Sequence, residues 1–197
     1  MTKVIADMSM SIDGFIADAA DGVDELFEWY GNGDVETATA HPNITFPTSV
    51  PSADRLRQAL NDVGALVVGR RLFDLTNGWG GRHPMGVPVF VVTHRAAPDW
   101  LAPDAPFVFV HDGVEAAVAA ARQAAGDRLV GVASASITQQ CLRLGLLDEL
   151  HVNLVPVLLG TGVRWFEKVP GPVWAHDPQI LEGTRVTRLV FPLDRSR

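Results

Sequence analysis

The sequence predicts an α/β fold: a mostly parallel twisted sheet flanked by helices and finished by an antiparallel C-terminal hairpin. Three observations carry the prediction. Short apolar runs of strand length recur at 65–69 ("ALVVG"), 87–93 ("VPVFVVT"), 106–110 ("PFVFV") and 128–132 ("RLVGV"). Segments with helical periodicity or helix-start residues separate most of them, and strands alternating with helices imply a parallel sheet covered on both faces. The segment 173–193 breaks that alternation and reads as two strands around Glu182-Gly183, a hairpin. No internal repeat or low-complexity linker divides residues 1–197, so a single domain is expected.

The elements are justified in order. "KVIADMSMSI" (3–12) is an apolar, partly alternating strand that ends at the turn signal Asp13-Gly14. Residues 18–51 are polar, punctuated by glycine and proline, and weakly periodic; a stretch of that length is more often functional than idle. Within it, "DELFEWY" (24–30) suits one or two helical turns. Ser52 reads as the N-cap of a helix through about Asn61. After the strand at 65–69 comes a short helix, "RRLFDLT" (70–76). Asp112 and Glu115 are set to cap a helix whose apolar stripe is Val114, Ala117, Val118 and Ala121, with Gly126 as its stop. Ile137, Cys141 and Leu144 then recur at helical spacing, and Gly145 ends that helix. "DELHVNLVPVLLG" (148–160) starts as an alternating strand and closes in Gly160-Thr161-Gly162, where glycine permits positive φ.

Composition narrows the function classes. With 47% hydrophobic and 20% charged residues, the chain is expected to be soluble and globular. A formal charge of −7 without a long basic run argues against a nucleic-acid partner. No apolar stretch reaches membrane-spanning length and no signal peptide is evident, so a membrane is not an expected partner. The single cysteine, Cys141, excludes an internal disulfide framework and fits a reducing cytoplasm. Six histidines lack metal-ligand spacing, so no metal site is expected.

Ligands of parallel sheets sit at the carboxyl ends of the strands. Those ends are Ser11–Gly14, Gly69–Arg71, Thr93–Arg95 and Val132–Ser136. Arg70 and Arg95 suit phosphate, because a guanidinium offers forked hydrogen bonds and a helix start offers free N–H groups. Arg70, Arg71 and Arg95 also read as solvated charges flanking apolar strands.

The same strand ends carry a resemblance. "MSMSIDGFIAD" (8–18), "LVVGRRLFD" (66–74), "VPVFVVTHR" (87–95) and "QQCLRLGLLDELHVNLVPVLLGTGVRWFE" (139–167) stand in the order and spacing of the dihydrofolate-reductase-like family. That family includes the C-terminal reductase domain of bifunctional riboflavin-biosynthesis enzymes. The resemblance implies a cytoplasmic NADPH-dependent reductase, commonly a homodimer, acting on a small flat nitrogen heterocycle of pterin or pyrimidine type. A substrate like 5-amino-6-(5-phosphoribosylamino)uracil is the extension it suggests. It places Gly69, Arg70 and Arg71 beside the cofactor diphosphate and Thr93, His94 and Arg95 near the adenosine 2′-phosphate. The junction Ala133, Ser134, Ala135 and Ser136 then faces the phosphates and the nicotinamide. Two departures stand out: Ala133-Ser134 replaces a usual Gly-Gly, and Leu72 replaces a frequent Thr.

Asp13, at a strand end facing the expected cleft, is the candidate catalytic carboxylate, with turn organisation as its other reading. Glu25 and Glu28 are further carboxylates, and Trp79 in "NGWGGRHP" (77–84) is placed to stack on a flat ring or to pack on the sheet edge. Cys141 reads as a buried, inert thiol. Two alternatives remain: a non-catalytic ligand-binding dimer that keeps the fold, and a reductase using a flavin or deazaflavin. The apolar C-terminal strands suit pairing across a two-fold axis.

Overall fold

The computed structural model of the chain describes residues 2–169 and 171–194; Met1, Pro170 and residues 195–197 of the expected domain lie outside the described residues. Its elements run β1 (Val4–Ser11), β2 (Phe15–Ala17), α1 (Asp24–Phe27), β3 (Val35–Ala38), β4 (Thr45–Thr48), α2 (Val50–Asp62), β5 (Val63–Gly69), α3 (Arg70–Leu75), β6 (Val89–Val92), β7 (Phe107–Val110), α4 (Gly113–Ala125), β8 (Leu129–Ala133), α5 (Ala135–Arg143), β9 (Glu149–Val155), β10 (Val163–Arg164), β11 (Gln179–Gly183) and β12 (Val186–Pro192).

An eight-stranded sheet has the order β11-β12-β9-β1-β8-β5-β6-β7. From β9 to β7 every pairing is parallel, and β12 joins β9 antiparallel before pairing with β11. All seven residues of β5 are buried, as a central strand covered on both faces requires. On one face, α4 lays its stripe of Val114, Ala117, Val118 and Ala121 against Val4, Ala6, Val67, Val130 and Val132. On the other, Val63, Leu66, Val68, Val89 and Val91 pack with Phe73 of α3 and Phe107. Cys141 lies in the α4 cluster at 0% exposure, and burial pushes its thiol up to about 12. No helix among the described residues is long and apolar enough to cross a membrane.

Local details depart from the sequence reading in four places. Asp112 holds the N-cap position of α4, but its side chain makes no cap hydrogen bond. The helix read from Ser52 starts at Val50 with Ser49 in the N-cap position, because Pro51 is pre-set for a first turn. The C-terminal hairpin turns at Thr184-Arg185 instead of Glu182-Gly183, since Gly183 still pairs with Val186. The irregular segment 18–51 contains a two-stranded sheet, β3 with β4, too short for its alternation to register in the sequence.

Candidate functional site

Strands β8, β5 and β6 are parallel neighbours, so their carboxyl ends form one rim. The chain leaves β5 at Gly69 into α3, leaves β6 at Thr93, and leaves β8 through Ser134 into α5. Two of these ends are tied together: the Gly69 amide donates to Ser134 Oγ at 3.1 Å. A Cβ on Gly69 would stand 3.2 Å from that same hydroxyl oxygen, which keeps the junction close.

Ser134 holds φ 117° and ψ 146°, a backbone region that is nearly the preserve of glycine. Because its hydroxyl is engaged with Gly69, it makes no side-chain cap on α5. The first-turn amides of that helix are therefore left without a side-chain acceptor, the arrangement that favours an anion.

A cleft of about 1200 Å³ opens beside this rim. Gly69, Arg70, Arg71, Thr93, His94, Ala133, Ser134, Ala135 and Ser136 all line it. Arg95 does not line it but turns back toward the rim, where its Nη2 donates to Asp74 Oδ2 at 2.7 Å. Arg70 meets the same carboxylate, Nε to Oδ1, at 2.7 Å. The two guanidiniums converge. Arg71 turns elsewhere and pairs with Asp21. Thr93 Oγ1 accepts from the Arg95 amide, and the Thr93 carbonyl lies 3.0 Å from His111 Nδ1, so that turn is braced from within.

Asp13 stands apart from the cleft lining. Its Oδ1 accepts from Ser11 Oγ at 2.6 Å and from the Leu159 amide, and its Oδ2 accepts from the Gly160 amide at 2.7 Å. The Ser11 hydrogen bond lowers its pKa most, with the two amides assisting and slight burial opposing. The geometry is that of a turn organiser, which clamps 11–14 to the loop after β9. Gly160 and Gly162 in that loop take φ 73° and 142°, as the glycine pattern suggested.

The other end of the cleft joins Asp7, one of the carboxylates the sequence offers in its first segments, to residues that the sequence reading assigned no role. Asp7 and Ser9 of β1, Glu149, His151 and Asn153 of β9 and Arg188 of β12 point to one side of the sheet. Arg188 donates Nη2 to Asp7 Oδ2 at 2.7 Å and Nη1 to Asn153 Oδ1 at 2.9 Å, and Asn153 Nδ2 donates to Asp7 Oδ1 at 2.7 Å. Burial pushes the Asp7 carboxyl up, but the charge and hydrogen bond of Arg188 outweigh it and hold it well below the usual range. Arg188 Nη2 also lies 2.8 Å from His151 Nδ1; an arginine only donates, so Nδ1 accepts and Nε2 carries the hydrogen toward Glu149 Oε2 at 2.8 Å. Trp29 donates Nε1 to Ser9 Oγ and stacks on Tyr30 at 3.8 Å between centroids. Burial and the nearby Asp7 charge push the Tyr30 phenol up. The available signal was polar residues at every second position of β1 and β9, sharing one face of otherwise apolar strands.

Trp79 lines the cleft too, lying over His83 and parallel to Phe107. Among the described residues no cluster of His, Cys, Asp and Glu is arranged to hold a metal ion.

The donor set fits a phosphate-bearing dinucleotide along the rim: the Arg70 guanidinium, the uncapped start of α5 and the hydroxyl of Ser136 share one edge of the cleft. Comparison with known proteins gives the same architecture. A riboflavin biosynthesis protein of Shewanella superposes with a TM-score of 0.71 at 20% identity, covering 99% of this chain and 100% of that one. The deaminase/5-amino-6-(5-phosphoribosylamino)uracil reductase of Thermotoga maritima aligns over 98% of this chain with a TM-score of 0.64 at 12% identity, this chain spanning 57% of its length. A riboflavin biosynthesis reductase of Saccharomyces cerevisiae gives 0.63 at 13% identity, over 98% of this chain and 90% of that one. No curated protein matches by sequence. The family comparison matches residues 2–176 without a break, through every strand end that builds the rim, and so the chain belongs to the RibD C-terminal domain family.

Proposed function

We propose that this protein is a reductase that uses NADPH to reduce a small flat nitrogen heterocycle, with a substrate of the 5-amino-6-(5-phosphoribosylamino)uracil type. The observation that carries the reading is one cleft with two unlike ends. A rim of guanidinium, hydroxyl and amide donors opens into a chamber walled by Trp29 and Tyr30 and floored by Asp7 and Arg188. When bound, the cofactor supplies a hydride. In this reading Arg70, His94 and Ser136, which line the cleft, would hold its phosphates, and Ala133 and Ser134 would face its reactive end. The aromatic wall suits a planar ring, and Asp7, kept ionised by Arg188, would accept from ring N–H groups. Arg55 on α2 also lines this end; among the described residues it bonds Gln58 and has no carboxylate partner, which suits a substrate phosphate. Asp13 supports the loop after β9 in this reading and does not touch the reacting atoms.

Titration with NADPH, followed by nicotinamide fluorescence, tests the reading. Saturable binding that Arg70→Ala weakens by about tenfold is expected, the loss of one charged hydrogen-bonding partner. No binding at millimolar cofactor would remove the reductase and leave a non-catalytic binding protein, a rival that Ser134 and Leu72 favour by departing from Gly and Thr. A flavin or deazaflavin carrier would declare itself as a chromophore in protein purified from native cells. Self-association belongs to the proposal as well: Val173, Trp174 and Ile180 lie exposed along the C-terminal segment, and light scattering should report a dimer.

A further inference from the structure

An anion stands at the margin of the rim, outside the residues that line the cleft. Asp74 lies one helical turn beyond Arg70 on α3, and its two carboxylate oxygens are divided between two guanidiniums, Oδ1 to Arg70 Nε and Oδ2 to Arg95 Nη2, each at 2.7 Å. Arg70 is fixed further: its Nη1 donates to the Ala96 carbonyl at 2.8 Å, and its guanidinium carbon lies 5.9 and 5.8 Å from the ring centroids of Phe73 and Phe109. The Arg70 side chain is 15% exposed, Asp74 39% and Arg95 64%, so the triad grades from wall to solvent. Burial pushes the Asp74 carboxyl up, but the hydrogen bonds and charges of both arginines outweigh it, so it is ionised at neutral pH.

Each guanidinium N–H held by Asp74 is withheld from an incoming phosphate. Two arginines and one carboxylate leave a single net positive charge where the arginines alone would present two. A ribose 2′-phosphate held by these two arginines would meet a like charge in Asp74, whereas a 2′-hydroxyl is neutral and can donate to a carboxylate. In dinucleotide sites generally, an acidic side chain receives the 2′-hydroxyl and an arginine the 2′-phosphate. This rim has both groups, bonded to each other.

We infer that Asp74 is a specificity-determining residue that weakens the preference for a 2′-phosphorylated dinucleotide, so that the cleft binds NADH as well as NADPH. The inference rests on the cofactor reading above. Calorimetric titration of the full chain with NADPH, NADH, 2′,5′-ADP and 5′-AMP tests it, using wild type, Asp74→Asn and Asp74→Ser. In wild type the two dinucleotides should bind within about tenfold of each other. Either substitution should raise the NADPH preference about fivefold, by tightening 2′,5′-ADP without tightening 5′-AMP, the effect of removing one partly exposed charge. If the dinucleotides bind but both variants keep or lower the ratio, Asp74 is only a strut for the arginines and the inference falls alone. If wild type binds none of the four, the cofactor reading falls with it.

Discussion

Ser134 offers a direct test of how the β8–α5 junction is built. Its φ of 117° is a conformation that costs a residue with a Cβ about 1–3 kcal/mol. Against this stands one hydrogen bond, from the Gly69 amide to Ser134 Oγ, worth about 1 kcal/mol. Ser134→Ala keeps the strain and loses the bond, so it should destabilise the protein by about 1 kcal/mol. Ser134→Gly loses the bond and the strain together, while the greater freedom of glycine in the unfolded chain costs about 0.5–1 kcal/mol. Strain relief near the middle of its range therefore leaves Ser134→Gly within about 1 kcal/mol of wild type. The glycine variant should thus exceed the alanine variant by about 0.5–2 kcal/mol, although alanine is the better residue almost anywhere else. Urea unfolding followed by tryptophan fluorescence measures the difference. In thermal melts about 1 kcal/mol corresponds to roughly 2–4 °C for a chain of this size. An alanine variant as stable as the glycine variant would refute the strained junction and, with it, the reason the hydroxyl faces Gly69.

Two further predictions concern charge. Asp7 has a folded pKa below its ordinary value of 3.8, so the stability it contributes is full above that value and is lost as pH falls through the folded pKa. Asp7→Asn should cost about 3 kcal/mol near neutral pH, by leaving Arg188 without its carboxylate, and should flatten the acid limb of stability measured by urea midpoint. His83 is held neutral by burial, its pKa lowered from 6.5 to about 4. Protonation is then favoured in the unfolded chain, so stability falls as pH drops from about 6.5 toward 4 and is level above that range. His83→Gln should remove that slope without altering the neutral-pH dependence, as urea midpoints between pH 4 and 7 would register.

The sheet was legible because its signals are local. Buried parallel strands must be apolar throughout, and 65–69 and 129–132 announce themselves by that alone. The residues of the rim were legible for a related reason: the chain leaves parallel strands at short turns, and the turns after 65–69 and 87–93 carry Arg70 and Arg95. The sheet-face network was not, since Asp7, His151, Asn153 and Arg188 come from three strands, the first separated from the other two by most of the chain. Polar residues alternating along one strand read as an ordinary solvent-facing side until pairing aligns them with those of the next. Asp13 carried two readings, catalytic carboxylate and turn organiser, and its contacts are those of the second. A carboxylate at a strand end looks aimed at the cleft until the loop at 159–160 arrives to take both its oxygens.

By itself, then, the sequence determined the α/β class, the parallel core and the positions at which the chain leaves its main parallel strands, because apolar period and turn chemistry act over a few residues. Only the tertiary structure decided where the side chains at those positions go: Arg70 and Arg95 onto Asp74, Arg71 away to Asp21, Asp13 into a turn, Ser134 into a conformation meant for glycine. The physical reason is that a charged or hydroxyl group settles on the partner nearest in space, and that partner is set by how strands distant in sequence are laid side by side.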